Sequence, residues 1–144
     1  MHVLIYLSVL ILCSLYASVR GGTPERLGVA ILIGAIVASH FAPASGVHRF
    51  QQLETGLLTV DAVMFACVVA LALRAQRYWP MWMAAILLDT LVTHLLMLSP
   101  PLMPWSYSVM IAAWSYPHPL LLAVAAWRHR TRVVRYGSDP AWST

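Results

Sequence analysis

Apolar residues gather into five long runs, near 4–19, 27–42, 56–73, 81–98 and 106–127, parted by short polar turns. The run Met81–Leu98, MWMAAILLDTLVTHLLML, holds eighteen residues with no Lys or Arg. A stretch of that length and character reads as a helix crossing a hydrocarbon core of roughly 30 Å. The turns carry matching punctuation. In Arg20–Arg26, Thr23 is placed as N-cap with Pro24 at the first helical position. Pro43 stops the second run, Arg74–Pro80 sets Arg beside Trp as at a membrane interface, and Ser99–Trp105 is uncharged and proline-rich. The pattern predicts an all-α integral membrane bundle of about five transmembrane helices in a single domain, residues 1–127, followed by a basic cytoplasmic tail, 128–144.

Polar residues inside these runs are the candidates for chemistry. In the fourth run Asp89, Thr90, Thr93 and His94 fall within an arc of about 140°. A carboxyl group at the bilayer centre costs roughly 2.5–3.5 kcal/mol on insertion scales. This face is therefore expected to point at other helices or at a water-filled cavity, not at lipid. Asp61 stands in the third run and His118 in the fifth. Asp61, Asp89, Thr90, Thr93, His94 and His118 together form the candidate intramembrane polar site. Two readings stay open for it: hydrogen bonds that hold helices together, about 0.6 kcal/mol each on average, or proton carriage and ligand binding. Pro117 and Pro119 mark a helix kink around His118. They free the carbonyls of Ala113 and Ser115, which an imidazole, a serine or a water must then satisfy.

Composition and charge add the class and the orientation. The chain has 144 residues, 60% hydrophobic and 10% charged. A soluble domain carries roughly 25% charged residues, so too little polar surface is present to cover a soluble core. The net charge of +4 comes from arginine alone. Arg20, Arg26, Arg74, Arg77, Arg128, Arg130, Arg132 and Arg135 fall on one side of a five-span chain, and only Arg49 on the other. Excess arginine marks the cytoplasmic side, which predicts N-out and C-in across a bacterial inner membrane, and no nucleic-acid partner. Arg128, Arg130, Arg132 and Arg135 are expected to anchor the tail on anionic lipid, with a docking helix for a cytoplasmic protein as the alternative. In this orientation Asp61 lies about 5 Å outside the midpoint of its helix, and His94 about 7 Å outward of the central Asp89. His118 stands near the centre of the fifth run, and the set predicts a cavity open to the outside. The tryptophans at 79, 82, 105 and 127 fit interfacial belts. The residues before the first run include no Lys or Arg, and the small-x-small site around Ala17 and Ser18 is poor, so the run is expected to be retained as a helix.

Other chemistry is not signalled. Cys13 and Cys67 lie inside apolar runs and read as buried thiols. Asp61, Asp89, His94 and His118 are acceptable ligand types, but no pair has the i, i+3 or i+4 spacing of familiar sites, so neither metal nor haem is predicted. No phosphate loop, nucleophile elbow or His-Glu-x-x-His occurs, and no catalytic residue is assigned. The segments RAQRYWP (Arg74–Pro80) and WSYPHP (Trp114–Pro119) resemble those of small uncharacterised polytopic bacterial inner-membrane proteins, over the second half of the chain. That resemblance implies a multi-pass location and carries no activity. Three functions stand open. The leading one is an accessory or structural subunit of a membrane complex, with a homo-oligomer or a membrane partner. The second is proton-coupled or small-solute transport through an outward-facing polar cavity. The third is a redox or cofactor-binding subunit.

Overall fold

The computed structural model describes residues 2–41, 55–96 and 113–142. They form five helices: α1 (His2–Arg20), α2 (Thr23–Phe41), α3 (Thr55–Arg74), α4 (Trp79–Leu96) and α5 (Pro117–Tyr136). Among the described residues there is no strand, only an isolated bridge between Ala75 and Trp142. His48, Arg49, Trp105 and the opening of the fifth apolar run lie outside the described residues. Two helices, α2 and α3, are long and apolar enough to cross a membrane, and Leu4–Arg20 is a shorter apolar helix.

Each helix buries one stripe spaced by threes and fours, the signature of a single packed face. On α3 the stripe is Met64, Val68 and Leu71, and on α4 it is Trp79, Met83, Leu87, Thr90 and His94. On α2 it begins with Glu25, Gly28, Val29 and Leu32, and on α5 with His118, Leu122, Ala125 and Ala126. α1 contributes Leu10, Ser14 and Ala17. Ala17 on α1 and Ala126 on α5 are fully buried, and α1 and α5 are in extensive contact. α3 and α4 form the other extensive pair. Every helix also exposes large apolar side chains, Leu12, Ile33, Val63, Leu88 and Val124 among them. Val68, Met83, Leu87 and Leu122 are essentially inaccessible and fill the middle of the bundle. They separate two polar centres, one at each end.

Two local features depart from expectation. The cap of α2 is Gly22 and not Thr23, because the Arg26 amide donates to the Gly22 carbonyl at 3.1 Å. That shift makes Glu25 the third helical residue, and its Oε2 accepts the Gly22 amide at 2.9 Å. It is the acidic half of a capping box, at the helix end where a carboxylate is favoured. The second feature is at α5, which does not break at Trp127. The helix continues through Arg128–Arg135 and stops at Gly137, whose φ of 75° is left-handed and whose amide donates to Val133 O at 2.9 Å. Only glycine takes that conformation without strain. The turn sends the last residues back across the α3–α4 connection, where the Gln76 amide donates to Ala141 O at 3.1 Å.

Candidate functional site

A pocket of about 250 Å³ lies where the first turns of α1 and α3 meet the last turns of α2 and α4 and the start of α5. Asp61, Thr90, His94, Ser115 and His118 line it together with Tyr6 and aliphatic residues such as Leu32 and Leu57. Because α3 and α4 run antiparallel, Asp61 and His94 reach the same depth, and His94 Nε2 donates to Asp61 Oδ2 at 2.8 Å. In that contact the ring N–H at Nε2 is the donor and the carboxylate oxygen the acceptor. The His118 imidazole bonds the backbone carbonyls of Ser115 and Trp114. It thereby satisfies the oxygen that Pro119 frees. Among the described residues His118 Nε2 is buried with no hydrogen-bond partner. With Nδ1 as donor, Nε2 is a bare lone pair. The Thr90 hydroxyl spends its hydrogen on Ile86 O at 3.1 Å, so its oxygen keeps only acceptor capacity. The pocket therefore combines apolar walls with convergent acceptors. Among the described residues, no group of three or more His, Cys, Asp or Glu is placed to hold a metal ion.

Of the residues expected to act together, the fold gathers Asp61, Thr90, His94 and His118. Thr93 is buried nearby and bonds within its own helix, to Asp89 O at 2.8 Å. Asp89 is the exception. Its side chain is exposed on the outer face of α4 beside Leu88 and Val92, and it makes no hydrogen bond or ion pair among the described residues. The reason is angular: the buried face of α4 centres on Met83, Leu87, Thr90 and His94, about 120° from Asp89. Pro117 and Pro119 stand just beyond a turn at Tyr116 that separates helical residues 113–115 from α5. Arg128, Arg130 and Arg135 are exposed, whereas Arg132 is half-buried and its Nε donates to Asp139 Oδ1 at 2.9 Å.

The second polar centre was not anticipated. At the other end of the bundle Glu25 is wholly buried, and Arg77 and Asp139 expose only 5% of their side chains. Arg77 spans the two carboxylates, with Nε 3.3 Å from Glu25 Oε1 and a terminal nitrogen 2.7 Å from Asp139 Oδ2. A further Arg77 nitrogen donates to Pro140 O at 2.6 Å. Trp79 Nε1 donates to Glu25 Oε1 at 3.1 Å, and His129 Nδ1 to Asp139 Oδ2 at 2.6 Å. Arg77 and Trp79 are thus interior residues, not the interfacial anchors expected of them, while Trp82 and Trp127 are exposed as expected. The sequence did carry a signal. The chain has five acids, and two of them, Glu25 and Asp139, stand at its arginine-rich end.

Burial alone would push the Asp139 carboxyl up, but hydrogen bonds from Arg132 and His129 and the charges of Arg77 and Arg132 outweigh it and hold the group below its ordinary value. A carboxylate depressed in the folded state stabilises fully above its unfolded value and loses that contribution as pH falls through the folded one. Tail docking is therefore expected to be strong at neutral pH and to loosen below the ordinary carboxylate range. Proteolysis after Arg135 in detergent, followed from neutral to acid pH, checks this. Asp139→Asn should be cut readily at neutral pH, with its difference from the parent chain vanishing in acid.

No protein-family model, curated protein or solved structure matches this chain.

Proposed function

We propose that this chain is a multi-pass inner-membrane protein whose outward-facing pocket binds a small, donor-rich solute of the alkylammonium class. The membrane reading is supported by the large apolar side chains exposed on all five helices, since soluble monomers rarely expose extended apolar patches. The arginine distribution supports N-out and C-in, with the pocket on the outer side. The observation that carries the ligand reading is that His118, whose buried Nε2 has no hydrogen-bond partner among the described residues, lines the same pocket as Asp61. Acceptors without hydrogens recognise donors, a carboxylate favours a cation, and the aliphatic walls suit a short alkyl chain. The apolar middle of the bundle argues for a carrier-like or receptor-like site rather than a continuous proton wire. A carrier would have to part Met83, Leu87 and Leu122 to release solute inward.

Calorimetry of the detergent-purified chain with n-butylammonium tests the reading. One saturable site is expected, weakened more than tenfold by Asp61→Asn and by His118→Gln and unchanged by Asp89→Asn. No saturable binding, or binding that ignores Asp61→Asn, overturns it. A second reading, an accessory subunit in a larger assembly, is favoured by Asp89. An exposed carboxyl in the middle of an apolar helix costs several kcal/mol in lipid, which a covering helix relieves.

A further inference from the structure

A groove of about 490 Å³ runs along α4 and α5 at the arginine-rich end of the bundle. Its upper walls are apolar, formed by Trp82, Leu121 and Val124, and its lower end carries Arg77, Arg128, Arg132 and Asp139. The charges there do not balance. Three guanidinium groups face two carboxylates, Asp139 within the groove and Glu25 behind Arg77. One positive charge is left over, and it resides on Arg128, which is exposed and makes no hydrogen bond or ion pair among the described residues. Arg132 is held beside it: Nε is fixed by Asp139, so its terminal nitrogens stand in a defined place one helical turn from Arg128. Apolar surface above, a tryptophan at the boundary and a fixed uncompensated cation below match a molecule with acyl chains and a singly charged headgroup.

We infer that this groove binds one anionic phospholipid, its phosphodiester on Arg128 and Arg132 and an acyl chain along Trp82, Leu121 and Val124. The inference rests on the membrane-spanning reading above. It differs from a diffuse basic anchor in stoichiometry and in residue dependence. A diffuse anchor uses Arg130 and Arg128 alike, whereas the groove includes Arg128 and not Arg130, which lies about 200° around the helix. The bound lipid would also brace the docked tail, because Arg132 and Asp139 belong to both.

Native mass spectrometry of the detergent-purified chain, titrated with phosphatidylglycerol, phosphatidylcholine or glycerol phosphate, tests it. The expected result is one tightly retained phosphatidylglycerol in preference to phosphatidylcholine. Arg128→Gln should weaken it about fivefold, the size of one arginine's attraction to an anionic surface, and Arg130→Gln should not. Val124→Trp, which keeps every charge but fills the groove, should weaken it as well. Equal effects of Arg128→Gln and Arg130→Gln, or equal retention of the two lipids, overturn the inference. Glycerol phosphate binding as well as the lipid assigns the site to a free anion and overturns it too. Recovery of the chain in the soluble fraction would overturn the membrane reading itself, before any lipid is added.

Discussion

Glu25→Ala is expected to destabilise the bundle by about 3–5 kcal/mol, the range for removing one partner of a buried ion pair. Glu25 is fully buried and its two oxygens serve three groups: the Arg77 guanidinium, the Trp79 indole and the Gly22 amide. Alanine leaves all three without that acceptor at a buried position, and an unsatisfied buried donor alone costs about 1–3 kcal/mol. Arg77 keeps Asp139, which sets the effect towards the lower end of the range. Glu25→Gln retains a carbonyl acceptor and should lose less. Unfolding in mixed micelles of mild detergent and dodecyl sulfate gives the comparison. The double change Glu25→Ala with Arg77→Met should fall short of the sum of the single effects, because the two residues share one interaction.

Gly28→Ala is the second large effect, expected at about 2–3 kcal/mol from overpacking. A Cβ at this position would stand 2.5 Å from Trp79 Cη2 and 2.7 Å from Leu122 Cδ2. Neither neighbour can give way easily. Trp79 is pinned through its indole nitrogen to Glu25, and Leu122 has no exposed surface. The added methyl group must therefore lift α2 from α4 and α5 and stretch the Glu25 contacts with it. Gly34 supplies the control on the same helix, since a Cβ there meets nothing within 4 Å. Gly34→Ala should be neutral or stabilising by about 0.5–1 kcal/mol, the ordinary gain from replacing glycine inside a helix. Equal losses at the two positions in the same micelle assay would show that α2 does not pack on Trp79 and Leu122.

The helices could be read from the runs of apolar residues, because crossing or packing into an apolar medium demands long uninterrupted stretches. The candidate pocket was readable only as a set of parts. Asp61 and His94 lie on different helices, and no spacing along the chain announces a pair made by antiparallel packing. Asp89 fell on the wrong side of its helix because an arc of four polar residues has two edges, and only tertiary packing decides which edge is buried. Arg77 and Trp79 matched an interfacial pattern so well that their burial was invisible from composition. What hid the ionic centre was the tail: Asp139 meets Arg77 only because Gly137 turns the chain back. A Gly-Ser-Asp-Pro turn after a basic helix says that the chain bends, not what it bends onto.

The proposed membrane bundle has its pocket outside and its ionic centre inside. Single cysteines in a Cys13→Ala, Cys67→Ala background test it most directly, one at Ser45 between α2 and α3 and one at Ser138 beyond α5. A membrane-impermeant maleimide applied to spheroplasts is predicted to label Ser45→Cys at once and Ser138→Cys only after the membrane is permeabilised. Labelling of both positions from the same side would contradict the alternation of spans on which the pocket's orientation depends.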